Sequence, residues 1–175
     1  PYRISLLGGG SDLDWFVEKE KYGISLGYST NIYSHVVINK LDKEAKFGIL
    51  NYSAKETFKD FDEIAHPLIR EVFKIIKPKD FLELSSFGFA SGGAGLGGSS
   101  SFIIALLSSL KSIYPRKFKS KNLAALACSI EIDILKKPIG RQDQYLCALG
   151  GVNYLEFQKE NKINIKNYPN ISKAI

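Results

Sequence analysis

Apolar residues recur along the chain in two periods, and the change from one to the other outlines a fold. Between Asp60 and Lys77 they fall at Phe61, Ile64, Leu68, Ile69, Val72, Phe73 and Ile76. That three-and-four spacing turns one stripe of a helix toward a core. Pro78 ends the helix because it has no N–H to continue it. Further helical stretches run from Ser99 to Tyr114 and from Lys121 to Leu135, separated by a turn at Pro115, and a fourth from Ile139 to Leu149. Strands are expected where β-branched and aromatic residues gather: Tyr2 to Leu7, Asn31 to Leu41, Ala45 to Asn51, Phe81 to Phe87 and Val152 to Phe157. The polar, lysine-rich tail from Gln158 reads as loop plus a weak strand. Strands early and helices gathered late make an α+β class, without internal repeats.

One segment stands outside both periods. Residues 92–101 hold five glycines and three serines and run straight into the apolar helix that begins near Ser99. A glycine-rich loop feeding a helix start leaves backbone N–H groups without partners, with the positive end of the helix dipole behind them. This is an anion site, and the serine hydroxyls can cap the helix, bond phosphate oxygens or ligate a divalent cation. Gly93 to Gly98 also match G-x-G-x-x-G, but a dinucleotide fold needs an acid about twenty positions on, closing a second strand. No Asp or Glu occurs between Leu84 and Ile130, and a second helix follows the first. A Walker A loop fails because Ser99, not lysine, follows Gly98, and no protein-kinase lysine strand comes after. A different phosphate loop is required.

Composition narrows the picture further. The chain has 175 residues, 45% of them hydrophobic, enough for one sizeable domain or part of a larger protein. It starts at Pro1 and contains no Met, so the true start is expected upstream. No run reaches membrane-spanning length and no signal peptide is visible, so no membrane partner is expected. Cys128 and Cys147 lie in apolar helical patterns and read as buried free thiols in a reducing cytoplasm. The net charge is +6, yet the cluster Arg116, Lys117, Lys119 and Lys121 reads as a solvated loop, not a nucleic-acid surface. Keeping carboxylates away from the glycine loop favours an anionic ligand.

Two acids stand apart from the surface. Glu131 lies in an otherwise apolar helical face, and Asp143 precedes apolar residues 146–149. Such an acid is paired, protonated or holding a metal. A Mg²⁺-nucleotide enzyme needs one carboxylate on the metal and another near the accepting hydroxyl. The plainer alternative is a lysine salt bridge for Glu131 and a helix cap for Asp143. Arg3, in a strand of apolar and small residues, requires an anion. Asp12 either caps a helix starting at Leu13 or accepts hydrogen bonds from sugar hydroxyls. His35 and His66 read as structural.

Together these segments resemble the GHMP small-molecule kinases, the superfamily of galactokinase, homoserine kinase and mevalonate kinase. Residues 93–100 resemble its ATP loop and Pro1 to Asp12 its opening motif, while Glu131 and Asp143 stand at its acidic positions. The triple glycine Gly8-Gly9-Gly10 before Ser11-Asp12, the run Ile134 to Tyr145 and Gly150-Gly151-Val152-Asn153 resemble bacterial D-glycero-D-manno-heptose 7-phosphate kinases. The resemblance implies the ribosomal-S5-domain-2-like fold. It implies ATP- and Mg²⁺-dependent phosphorylation of the anomeric hydroxyl of heptose 7-phosphate, with another sugar 1-kinase or a non-catalytic sensor as alternatives. By it, Asp143 is the base and Arg3 stabilises the transferring phosphoryl group. Gly93, Gly95, Leu96, Gly97, Gly98, Ser99 and Ser100 hold the nucleotide, and Ser99 and Glu131 ligate Mg²⁺. Asp12, Gly9, Gly10 and Gln144 then bind the sugar. The partner is a small sugar phosphate, not nucleic acid, with a homodimer as one option and a cytoplasmic location. The opening proline of the ATP loop is absent, and Gly98 replaces the first of its paired serines. Residues 1–157 correspond to the family's N-terminal, ATP-binding domain. Residues 158–175 correspond to the start of a connection to a C-terminal domain that nothing here matches.

Overall fold

The computed structural model describes residues 1–88, 95–118 and 122–169. One sheet takes the order β1 (Arg3–Leu7), β2 (Tyr22–Ser29), β7 (Val152–Gln158), β8 (Ile163–Asn167), antiparallel throughout. The other runs β3 (His35–Lys40), β6 (Leu82–Phe87), β4 (Gly48–Asn51), β5 (Lys55–Phe58), with β4 and β6 parallel. Among the described residues five α-helices join them: α1 (Asp14–Glu20), α2 (Pro67–Ile76), α3 (Gly98–Ile113), α4 (Leu123–Cys128) and α5 (Gln142–Leu149). This mixture of helices and strands agrees with the α+β class expected from the two periods, and the weak strand of the tail forms as β8. Among the described residues, no helix is long and apolar enough to cross a membrane.

The apolar stripe of α2 is buried as its spacing requires, with Leu68, Ile69, Val72, Phe73 and Ile76 all in the core. Phe58 and Phe61 meet Phe73 edge-on, each at 5.8 Å between ring centroids. α3 packs between α5 and β3, and α5 lies against β2. That stacking brings the N-termini of α3 and α5 to the same side as the start of β1, which is what builds the site.

The structure departs from expectation in several places, the strand β5 among them. The helix expected over residues 60–77 is divided: Asp60 and Glu63 form a capping box on a single 3₁₀ turn, and α2 begins only at Pro67. Proline is tolerated at a first helical position and nowhere deeper. β2 was not expected because Gly23 and Gly27 weaken a strand pattern. Packing decides otherwise, since a Cβ on Gly23 would lie 1.7 Å from the Ser11 carbonyl oxygen. The helix expected over 121–135 is α4 followed by a π-helical turn, Ser129–Ile134. Cys128 and Cys147 are free and buried as expected, and burial pushes both thiols up to about 12.

Candidate active site

Gly95 and Leu96 dock on the edge of the sheet at β1. Arg3 donates its backbone N–H to the Leu96 carbonyl at 3.1 Å and its Nη1 to the Gly95 carbonyl at 2.7 Å. Gly97, the N-cap of α3, sits at φ +71°, and a Cβ there would lie 3.0 Å from Arg3 Cγ. Only glycine allows both that backbone and that approach. The remaining donors of Arg3 form a fork with Asp143, Nε to Oδ1 at 2.7 Å and Nη2 to Oδ2 at 2.6 Å. The pair is bidentate and charge-assisted, the strongest class of side-chain hydrogen bond. The Asp143 side chain keeps 28% of its surface exposed, against 12% for Arg3. The carboxylate is thus the more accessible member of the pair.

What aims Asp143 is Asp12. The N-cap of α1 is Leu13, with no side-chain cap, so the local capping role weighed for Asp12 is corrected. Its carboxylate instead takes the Gln142 backbone N–H at 2.9 Å and Gln142 Nε2 at 3.3 Å, capping α5 from 130 residues away. Burial pushes the Asp12 carboxyl up from its ordinary value, and the hydrogen bond from the Gln142 backbone opposes that shift. Gln142 Oε1 accepts from Ser5 Oγ at 2.9 Å and Ser25 Oγ at 2.7 Å, tying α5 to β1 and β2. Asp14 adds a second strap, accepting from Arg141 Nε and Nη2, both at 3.1 Å. Gly140 makes this possible, because a Cβ there would lie 1.9 Å from Asp12 Oδ2. Gly140→Ala is expected to expel Asp12 from its place and cost about 1–3 kcal/mol, read by denaturant unfolding. An unchanged midpoint would show that α5 does not depend on this strap.

Behind Ser99 lies a second polar centre. Glu131 is fully buried on the π-helical turn. Its Oε1 accepts from Ser99 Oγ at 2.7 Å and Lys137 Nζ at 2.8 Å. Its Oε2 accepts from Gln144 Nε2 at 2.7 Å and Ser100 Oγ at 3.4 Å. The salt bridge weighed for Glu131 is thus present, yet on the same oxygen that faces Ser99. π-turns are rare and concentrate at functional sites. One hydroxyl and one carboxylate oxygen side by side are hard donors that suit Mg²⁺, which takes few protein ligands and keeps the rest for water and phosphate. Among the described residues, two buried side-chain atoms lack hydrogen-bond partners, Ser101 Oγ and Gln144 Oε1. Among the described residues, no group of three or more His, Cys, Asp or Glu is placed to hold a metal.

In front of these groups opens a cleft of about 680 Å³. Arg3, Asp143 and residues 95–99 contribute its polar wall, and Leu68, Phe87 and Phe102 an apolar one. His66, read from sequence as structural, also lines it. It caps α2, accepting the Ile69 N–H through Nδ1, and its rings meet Tyr52 and Phe102. Burial lowers its pKa, which keeps the ring able to accept that bond.

The expected site residues therefore divide. Arg3, Asp143, Gly95, Leu96, Gly97, Gly98 and Ser99 share the cleft wall. Ser100, Glu131 and Gln144 lie behind it, joined through Ser99. Asp12 is buried beneath α5. Gly9 and Gly10 belong to the turn after β1 and are not among the residues of the cleft wall. Gly93 lies outside the described residues. Sequence reasoning missed Lys137. Six positions separate it from Glu131, a spacing that faces the two apart on an α-helix.

Residues 68–151 match the family described as GHMP kinases N terminal domain. The D-glycero-alpha-D-manno-heptose 7-phosphate kinase of Campylobacter jejuni subsp. jejuni is 27% identical over 186 residues, covering 96% of this chain and 54% of that protein. The chain thus spans about half the length of this curated relative. The crystal structure of a D-glycero-D-manno-heptose 1-phosphate kinase from Bacteriodes thetaiotaomicron superposes with TM-score 0.82 at 22% identity, covering 95% of this chain and 57% of that one. Lactococcus lactis galactokinase, solved with galactose, gives 0.72 at 19%, covering 95% and 45%.

Proposed function

We propose, from the premise that the chain carries a GHMP kinase N-terminal domain, that it is the nucleotide-binding part of an ATP- and Mg²⁺-dependent sugar kinase. The acceptor in this reading is the anomeric hydroxyl of D-glycero-D-manno-heptose 7-phosphate, and the product is the 1,7-bisphosphate. The observation that carries it is the meeting, at one helix N-terminus, of the Ser99–Glu131 pair with the Arg3–Asp143 fork. The named relatives support the choice of sugar.

Phosphoryl transfer asks a protein mainly for positioning and charge stabilisation. The amides at the start of α3 face the phosphates, with the helix dipole behind them. Asp143 takes the proton of the acceptor hydroxyl as that oxygen bonds to the γ-phosphorus and the bond from phosphorus to the ADP oxygen breaks. Arg3 fixes the orientation of the Asp143 carboxylate and offsets negative charge near the transferring group. Ser99 and Glu131 would hold the cation, which when bound would supply positive charge against the phosphate oxygens. Asp12 acts by holding α5, and with it Asp143, in line. In this reading residues 1–157 are the domain, and a second domain beyond residue 175 completes the acceptor pocket. A cytoplasmic enzyme acting on a small sugar phosphate, with neither nucleic-acid nor membrane partner, belongs to the same reading.

The test is ADP release by the full-length protein with Mg-ATP and heptose 7-phosphate, galactose or fucose. Selective turnover of the heptose phosphate is expected. Turnover of another sugar would keep the mechanism and change the substrate, and ATP binding without turnover of any would favour a sensor. Ser99→Ala is expected to raise the Mg²⁺ concentration needed for half-maximal rate, because one of two protein ligands is lost. An unchanged requirement would move the ligand to Ser100 or Ser101.

A further inference from the structure

The proposed reaction makes no use of Lys137, although its ammonium sits on the carboxylate oxygen which that reaction needs. We propose that Lys137 is a positioning residue, a resident counter-cation that holds Glu131 in place while no divalent ion is bound and yields Oε1 when one binds. The inference rests on the Mg²⁺ reading of the Ser99–Glu131 pair. A fully buried carboxylate is costly unless a positive group compensates it. Among the described residues, Lys137 alone stands within ion-pair distance of Glu131, at 2.8 Å.

The chain is built to hold the two together. After the π-helical turn, the Leu135 N–H reaches the Ile130 carbonyl at 3.0 Å, and Lys136 adopts φ +53°. The backbone then folds back, so that the Lys137 N–H donates to the Glu131 carbonyl at 3.0 Å. That bond tethers the lysine backbone to Glu131 whichever way its ammonium points. The Lys137 side chain is 30% exposed while Glu131 is fully buried, so the lysine is the partner with somewhere to go. Ser99 Oγ and Lys137 Nζ meet on one oxygen. A divalent ion bridging Ser99 and Glu131 would there face a second positive charge, and mutual repulsion makes the two cations competitors. Lys137 therefore weakens binding of the ion, and in exchange keeps its carboxylate compensated and aimed.

The test is a calorimetric titration of Mg²⁺ into the full chain saturated with a non-hydrolysable ATP analogue, with thermal melts taken alongside. Lys137→Met is expected to lower the half-saturating Mg²⁺ about ten-fold, within the usual range of site-to-site coupling. Without metal it should melt below the unaltered protein, and saturating Mg²⁺ should recover most of the difference. Lys137→Gln, which keeps a donor but no charge, should show the same tightening and serves if the methionine variant does not fold. Lys137→Arg should behave as the unaltered protein. Glu131→Gln combined with Lys137→Met should melt above Lys137→Met alone without metal, and should no longer respond to Mg²⁺. A merely structural lysine would leave Mg²⁺ affinity unchanged or weaken it when replaced. Either of those results, with the unaltered protein still responding to Mg²⁺, overturns the proposal alone. No Mg²⁺ response in the unaltered protein overturns the metal reading and this proposal together.

Discussion

Asp143→Asn is expected to lower turnover by about 10²–10⁴ while leaving nucleotide affinity within a few-fold. The asparagine keeps the size and one acceptor of Asp143 but cannot take a proton, and it places an amide NH₂ against one arm of the Arg3 fork. Arg3 keeps its bonds to the Leu96 and Gly95 carbonyls, so the glycine loop should remain docked. The measurement is kcat beside the Kd for ATP in the full-length protein. A loss in kcat without a loss in binding separates the proton acceptor from the phosphate cradle. An unchanged kcat would remove Asp143 from the chemistry and leave it a structural partner of Arg3.

Glu131→Ala should have the largest effect on stability, about 3–5 kcal/mol, the usual cost of removing one partner of a buried charge pair. The side chain receives four donors, from Ser99, Ser100, Gln144 and Lys137, and its removal strands all of them. At this chain length such a loss lowers the melting temperature by about 6–20 °C. Chemical denaturation of the full chain reads it directly. A loss under about 1 kcal/mol would mean that water replaces the carboxylate, and that the centre is less closed than its burial implies. Glu131→Gln separates charge from packing: it retains the shape, so it should recover part of the stability while abolishing the response to Mg²⁺.

Much of the site was legible because its signals are local. A glycine-rich run leading into an apolar helix marks where backbone N–H groups are left for an anion, and an arginine in a strand or an acid on an apolar face needs a partner wherever the chain goes. What could not be read was which partner. Asp12 has a neighbouring helix to cap, and instead caps one that begins at Gln142. Lys137 has no helical register with Glu131, and reaches it only because the turn is widened to π geometry and Lys136 reverses the chain. β2 was hidden by Gly23 and Gly27, glycines that look like breaks until the Ser11 backbone is seen pressing against Gly23.

The sequence by itself determined the elements whose apolar spacing is regular, chiefly the stripe of α2 and the length of α3, the position of the glycine-rich run before α3, and the identities of Arg3, Glu131 and Asp143 as groups needing partners. Periodicity reports burial within a few residues, and burial of that kind is set by chain geometry before any long-range contact forms. Only the tertiary structure decided that Arg3 meets Asp143 across 140 residues, that Glu131 gathers four donors at the foot of α3, and that Lys137 shares an oxygen with Ser99. Those pairings depend on how α3 and α5 stack between the two sheets. Directional hydrogen bonds between distant side chains are settled by that stacking, to within a few tenths of an ångström, and leave no period in the chain.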